Sequence, residues 1–434
     1  MKKIISLIAA LAMSLALLTA NNVHHDDYMW VTVPDHADWL YKVGEKAVIR
    51  IELLHAGSPV TGTVRYTVSQ DKLESDYKDE VTLKDGIATI KLDAVRKPCF
   101  RDVKLNYKDA RGTEHKHHVK IGFDVEKIQP VTKMPKDFDE FWEKARKEVS
   151  TPLRYTMTKN EWASKGSTDC WHVRLETVGN HLFYGNLYIP KDTQGKSLPV
   201  VVCPPGAGVK QIAPRQDYAL AAPGFIVFEY EIHGLDNMLD QEFYRELSVA
   251  MSTEMGSYIR RDLDFKDLYY MRHVYQGLIK AIDFVTSLPQ WDGRNVFSYG
   301  GSQGGALSIV SAGIDSRVTA CVAYYPAMVE MAGYHVKGNT GGWPHFGKTP
   351  RIYTPGVLET IPYYDVINFA RKVSVPTFLS FGYNDDVCPP TTSYMVWNTL
   401  DCDKTIYPVP FTEHWNTEES RAAALEWMKQ HIKQ

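Results

Sequence analysis

One hexapeptide, Gly300-Gly301-Ser302-Gln303-Gly304-Gly305, constrains this chain more than any other stretch. The run before it, Asn295-Val296-Phe297-Ser298-Tyr299, is β-branched and aromatic, and the run after it, Ala306-Leu307-Ser308-Ile309-Val310, is small and helix-competent. Strand, tight turn and helix in that order is the context of a G-x-S-x-G nucleophile elbow. The flanking glycines are then a steric requirement, because side chains there would meet the neighbouring strand and helix. The same pattern also arises by chance in Gly/Ser-rich loops, so Ser302 needs a base and an acid elsewhere in the chain, and a sheet covered by helices to stand on.

The second half of the chain has the pattern of such a sheet. Residues 137–145 carry apolar side chains at helical spacing with acidic residues in the first turn. Apolar runs at 199–203, 225–230, 295–299, 318–324 and 377–381 read as strands, and 267–287 and 418–432 read as helices. Strands alternating with helices imply a mostly parallel, doubly wound α/β sheet, with catalytic groups at the carboxyl ends of its strands. The front differs. Ala47-Val48-Ile49-Arg50-Ile51-Glu52-Leu53, Val64-Arg65-Tyr66-Thr67-Val68 and Ile87-Ala88-Thr89-Ile90-Lys91-Leu92 alternate apolar with polar, and Asp109-Ala110-Arg111-Gly112 between two such runs signals a hairpin. Short strands at close spacing predict a small all-β, immunoglobulin-like sandwich. The expected organisation is a signal peptide over 1–20, the β-sandwich over 21–126, a linker over 127–135 and the catalytic domain over 136–434. A length of 434 residues fits two cores better than one.

Met1-Lys2-Lys3, then an apolar run ending near Thr19-Ala20-Asn21, has the layout of a cleaved export signal, with periplasm and medium both open as destinations. No later apolar stretch is long enough to span a membrane. A formal net charge of −3 argues against nucleic acid or an anionic membrane as the main partner. The cysteines Cys99, Cys170, Cys203, Cys321, Cys388 and Cys402 form no C-x-x-C or zinc pattern. Cys388 with Cys402 is the first disulfide to test, and Cys203 and Cys321 read as buried thiols. His115-Lys116-His117-His118 reads as a solvated strand edge rather than a metal site.

A serine nucleophile needs a base held by a third group, and α/β-hydrolases order them serine, acid, histidine. His335, His345, His414 and His431 follow Ser302. Of these, His414 stands between a strand-like run, 405–411, and the closing helix, where a catalytic histidine loop belongs. Gly382-Tyr383-Asn384-Asp385-Asp386 ends a strand between nucleophile and histidine, making Asp385 the acid and Asp386 the alternative. The oxyanion needs backbone donors: the Gln303 N–H, and the Ala207 N–H of the loop Pro204-Pro205-Gly206-Ala207-Gly208. Tyr230, Trp343, Phe346 and Trp415 are candidate sugar-stacking rings. This chemistry requires no metal and no organic cofactor.

Several spaced motifs carry a family resemblance over roughly residues 132–434. They are Pro135-Lys136-Asp137-Phe138-Asp139-Glu140-Phe141-Trp142, Asp267-Leu268-Tyr269-Tyr270-Met271-Arg272-His273-Val274-Tyr275, the elbow, and Gly382-Tyr383-Asn384-Asp385-Asp386-Val387-Cys388-Pro389-Pro390. Together they resemble the acetyl xylan esterase / cephalosporin-C deacetylase family of carbohydrate esterases. The resemblance implies an α/β-hydrolase that removes acetyl groups from carbohydrate hydroxyls, with Ser302, Asp385 and His414 as triad and Ala207 beside Gln303 in the oxyanion hole. The family's Arg-Gly-Gln signature is replaced by Ile232-His233-Gly234-Leu235, which makes His233 a candidate substrate contact. The family histidine is usually followed by glutamate, and here by Trp415. A serine peptidase of the prolyl-oligopeptidase type, an esterase for other small esters and a non-catalytic carbohydrate-binding protein are the alternatives. The oligomeric state stays open.

Overall fold

Alternation decides the front of the chain. In β3 (Ala47–His55) the side chains of Ala47, Ile49, Ile51 and Leu53 all point inward and are wholly buried. The computed structural model describes residues 27–191, 193, 195–252, 257–349 and 351–434, so the export signal read over 1–20 lies outside the described residues. The chain divides into two compact units, ending and starting at Val125 and Glu126.

In the first unit, β1 (Tyr28–Pro34), β3, β4 (Ser58–Pro59) and β7 (Ile87–Leu92) form one sheet. β2 (Leu40–Tyr41), β9 (Glu114–Phe123), β8 (Cys99–Lys108), β5 (Gly62–Gln70) and β6 (Ser75–Leu83) form the other, in that order. Ile49, Ile51 and Ile90 from the first sheet share a core with Val64, Val103, Leu105 and Ile121 from the second. The expected hairpin joins β8 to β9, and both Arg111 N and Thr113 N donate to Asp109 Oδ1 at 2.9 Å. β6 escapes a pattern reading because it is an exposed edge rich in charge, the usual protection of an open edge. The histidine run is not freely solvated: His118 bonds Asp102 and His115 bonds Asp109, while burial lowers His117 to about 4.

The second unit is a nine-stranded sheet in the order β10-β11-β12-β14-β13-β15-β16-β17-β18. Its chain order is α1 (Phe138–Glu148), β10 (Tyr155–Lys159), β11 (Thr168–Glu176), β12 (Leu182–Pro190), β13 (Leu198–Cys203), β14 (Ile226–Tyr230), α2 (Gln241–Ser252), α3 (Met271–Thr286) and β15 (Trp291–Gly301). Then come α4 (Gln303–Ile314), β16 (Ala320–Tyr324), α5 (Pro355–Tyr364), α6 (Val366–Ala370), β17 (Thr377–Gly382), α7 (Pro390–Thr399), β18 (Lys404–Val409) and α8 (Glu418–Gln430). From β14 through β18 neighbouring strands run parallel, and β10, β11 and β12 extend the sheet antiparallel. β16 and β17 are buried along their whole length, which is why they read as mainly apolar runs without alternation. The parallel core and the all-β front agree with the expected fold class.

The segment read as a linker, 127–135, falls inside the second unit. Val131 N and Thr132 N donate to the Glu330 carboxylate, and Asn398 Nδ2 donates to the Ile128 carbonyl.

Candidate active site

The elbow is built at the carboxyl end of β15. Ser302 adopts φ 60° and ψ −124°, a strained conformation for a residue with a side chain. Its N–H donates to Tyr324 O, and its own carbonyl accepts from Ala306 N and Ala327 N, each at 3.0 Å. Two glycines permit this packing: a Cβ on Gly300 would lie 2.6 Å from the Gly304 carbonyl, and one on Gly304 would lie 2.5 Å from Pro204 O. The second contact presses the loop after β13 against the elbow. α4 begins at Gln303, so that residue's N–H has no intrahelical acceptor and sits at the positive end of the helix dipole.

Asp385 lies three residues beyond β17 and is wholly buried. Its Oδ1 accepts from Val387 N at 2.7 Å and Cys388 N at 2.8 Å, which fixes the carboxylate plane. Oδ2 lies 2.7 Å from His414 Nδ1. A carboxylate can only accept, so this contact places the proton on Nδ1 and leaves the Nε2 lone pair free. Asp385, not its neighbour Asp386, faces the histidine. One further residue, Tyr325, packs against both the histidine and the elbow. The Tyr325 ring lies 4.5 Å from the His414 ring, and its edge comes within 3.1 Å of where a Gly301 Cβ would stand. The Cys388 thiol beside it is wholly buried, and desolvation pushes it well above its usual range. Ser302, Asp385 and His414 thus follow the carboxyl ends of β15, β17 and β18, and the last two are in direct contact. The other downstream histidines are engaged elsewhere: His345 with Tyr334, His335 against Tyr353, and His431 with the Trp427 carbonyl.

The loop after β13 is held to the elbow by Tyr258, which no sequence pattern marked. Its hydroxyl accepts from Gly208 N at 3.1 Å and donates to Gln303 Oε1 at 2.7 Å. Burial raises that hydroxyl to about 12, so it stays neutral. Among the described residues no acceptor is bonded to the Ala207 N–H, which leaves it available on the loop that Tyr258 ties to Gln303. His233 bonds the Tyr270 hydroxyl through Nδ1 at 2.7 Å and packs edge-on against Tyr258 at 4.7 Å. Burial lowers it to about 4 and keeps it neutral. It also lines a cavity of about 540 Å³ together with Gly206, Gly208, Arg215 and Gly301.

Three sequence expectations fail here. Tyr230 is wholly buried, with Phe183 and Phe228 stacked against it, because β14 is an interior strand with both faces covered. Phe346 is likewise wholly buried, so neither ring can meet a sugar. Cys388 and Cys402 are both free. α7 lies between them and, at a rise of about 1.5 Å per residue, carries the second well beyond disulfide reach. Cys402 Sγ instead approaches Thr377 Oγ1 at 3.9 Å. Trp343 is half-buried, with its carbonyl accepting from Met328 N at 2.8 Å, and Trp415 is 49% exposed.

The loop after β16 holds a feature unseen in the sequence. Glu330 and Asp365 are both wholly buried, and the Thr132 hydroxyl lies 3.1 Å from Glu330 Oε1 and 3.4 Å from Asp365 Oδ2. Burial raises the pKa of both carboxyls, and the charge of Asp365 raises Glu330 further.

A family model for acetyl xylan esterases matches residues 123–431. An acetyl esterase of Xylanibacter ruminicola is 43% identical over 439 aligned residues, covering 100% of this chain and 98% of that one. Two solved structures share the fold: the acetyl xylan esterase of Paenibacillus sp. R4, with TM-score 0.62 and 23% identity, and acetyl xylan esterase 1 of Thermoanaerobacterium sp., with TM-score 0.61 and 21% identity. Each covers 71% of this chain and 98% of its own length, whereas the Xylanibacter relative aligns with the β-rich front as well. The chain therefore belongs to the acetyl xylan esterase family and is a carboxylic ester hydrolase.

Proposed function

We propose that this esterase removes acetyl groups from acetylated xylan or a related glycan by a two-step serine acyl transfer at Ser302, with His414 as base and Asp385 as acid. The observation that carries the reading is the 2.7 Å contact between His414 Nδ1 and an Asp385 carboxylate already fixed by two backbone amides. With Nδ1–H committed, His414 Nε2 accepts the Ser302 proton as Oγ bonds to the ester carbonyl carbon. The carbonyl electron pair moves onto oxygen, and the amides of Gln303 and Ala207 stabilise that oxyanion. Collapse of the tetrahedral species breaks the bond to the sugar oxygen, which leaves with the proton from His414. Water then attacks the acetyl-enzyme by the same route, giving acetate and free Ser302. The imidazolium formed in each half-reaction is stabilised by Asp385. No step calls on a metal or an organic cofactor.

Export directed by residues 1–20 completes the reading, because a polymeric substrate has to be met outside the cytoplasm. A mature chain starting near Asn21 is the expected product, read by N-terminal sequencing. The catalytic test is Ser302→Ala, which is expected to lower kcat by at least about 10³-fold on both p-nitrophenyl acetate and acetylated xylan. Near-normal acetate release by that variant would remove Ser302 from the mechanism.

A further inference from the structure

The loop that carries His414 also carries two large aromatic side chains left open to solvent. Phe411 is 61% exposed and Trp415 is 49% exposed. Their ring centroids lie 6.4 Å apart at 61°, so they form one apolar surface with two faces. Scattered exposed aromatics are ordinary on a protein surface. A touching pair that brackets the proposed base, three residues before it and one after, is a different arrangement.

The backbone beneath the pair is held at several points. Thr412, between them, is buried, and both its N–H and its hydroxyl bond the Val409 carbonyl, at 3.0 and 2.9 Å. Its own carbonyl accepts from Asn384 N at 3.1 Å and lies so close to Gly382 that a Cβ there would stand 2.1 Å from it. Arg421 donates to the Asn416 carbonyl, and Thr417 caps α8 through Ser420 N. With Thr412 turned inward, Phe411 and Trp415 are presented on a fixed loop, which lowers the entropy lost when a ligand settles on them.

Chemistry dictates what must come close to His414. In the acyl-transfer reading, His414 Nε2 hands its proton to the departing sugar oxygen, so that oxygen comes within about 3 Å of the imidazole. The ring bearing the oxygen, or its neighbour along the chain, is then within reach of the His414 loop. A pyranose presents C–H groups on its faces and hydroxyls on its rim, and the C–H faces pack on the electron-rich face of an aromatic ring.

We infer that Phe411 and Trp415 form a sugar-stacking subsite that seats a pyranose ring of the glycan beside His414. The inference rests on the proposed acyl transfer for its geometry. It concerns the glycan part of the substrate, which p-nitrophenyl acetate lacks.

Two measurements test it. In the first, kcat/KM is determined for acetylated xylo-oligosaccharides and for p-nitrophenyl acetate, in the wild type, Phe411→Ala, Trp415→Ala and Trp415→Phe. Each alanine variant is expected to lower the glycan-to-nitrophenyl ratio by about tenfold, the worth of one aromatic contact, mainly through KM. Trp415→Phe should recover most of that loss. An unchanged ratio overturns the subsite, whether both substrates fall together, as loss of His414 positioning would cause, or neither falls. The second measurement titrates Ser302→Ala with xylohexaose and follows tryptophan fluorescence. A saturable change that disappears in Ser302→Ala/Trp415→Ala supports the subsite even if the wild type releases no acetate from xylan, in which case the acetyl-xylan reading fails alone. A change that survives removal of Trp415 overturns the subsite, as does one that appears only at concentrations where a second copy covers the aromatic pair.

Discussion

Asp385 and Asp365 are both wholly buried aspartates in the same α/β unit, and each is cradled by backbone amides. Asp385 Oδ1 accepts from Val387 and Cys388. Asp365 Oδ1 accepts from Glu330 and Ile367, and its Oδ2 accepts from Met331. What separates them is the next group along. Asp385 ends on His414, which can take up a proton, whereas Asp365 ends beside Glu330, a second acid. A buried carboxylate next to an imidazole gains stabilisation when the ring becomes cationic, which is what acyl transfer needs. A buried carboxylate next to another carboxyl avoids paired negative charge by keeping a proton, and here the bonds of the pair go to backbone amides and the Thr132 hydroxyl. Burial and an amide cradle therefore do not by themselves single out the proposed acid; the identity of the partner does.

The strongest way to break this comparison is to remove the charge of Asp385 and keep its shape. Asp385→Asn is expected to lower kcat by about 10⁴-fold, because the amide favours the wrong histidine tautomer. Asp386→Asn, measured beside it by acetate release, should stay within a few-fold of the wild type. The reverse result would move the acid by one residue.

The legible parts of the site were those whose signal is local. Ser302 lies between a strand run and a helix run, Asp385 follows a strand, and His414 precedes the last helix, so neighbouring residues mark each place. Tyr258 and Tyr325 act on groups distant in sequence. Tyr258 reaches Gln303 across 45 residues, and nothing adjacent to it records that contact. Tyr325 alone had a usable sign, since it directly follows an apolar strand where catalytic groups collect. Tyr230 was misread because an aromatic at a strand end looks open to ligand until the neighbouring strands are known. In the fold, β10 was missed for a related reason: its side chains are mostly exposed, so it has no buried face to impose a period. Glu330 and Asp365 were illegible because acids are rarely buried, and only their mutual placement reveals them.

The Glu330–Asp365 pair offers a smaller effect, with a sign fixed by linkage. The folded protein holds a proton on this pair at a pH where the unfolded chain has lost it, since burial raises both carboxyls. Its contribution to stability is therefore full below the usual carboxylate range and is lost as pH climbs through the raised value. Glu330→Gln removes the titration of Glu330 and the charge it would share with Asp365. The stability of the wild type relative to the variant should fall with rising pH, by about 1.4 kcal/mol per unit within the window. Urea unfolding at intervals from pH 4 to 9 measures it. A gap independent of pH would mean that the two acids share no proton, and the contrast with Asp385 would collapse.

Tyr258 sharpens the comparison from the side of a group that does not titrate. Its hydroxyl joins Gly208 N to Gln303 Oε1, and so joins the two segments whose amides are proposed to hold the oxyanion. Tyr258→Phe removes both bonds and leaves the ring against His233, so packing is largely kept while the amides lose their common anchor. Kinetics of p-nitrophenyl acetate hydrolysis should show kcat lower by about tenfold, near the net worth of one or two neutral hydrogen bonds, with KM little changed. Because burial raises the hydroxyl to about 12, the deficit should be the same at pH 6 and pH 9. A deficit confined to KM would assign Tyr258 to substrate contact. A deficit that varies with pH would mean that the hydroxyl exchanges a proton during the reaction, placing it with Asp385 and His414 rather than with the neutral scaffold.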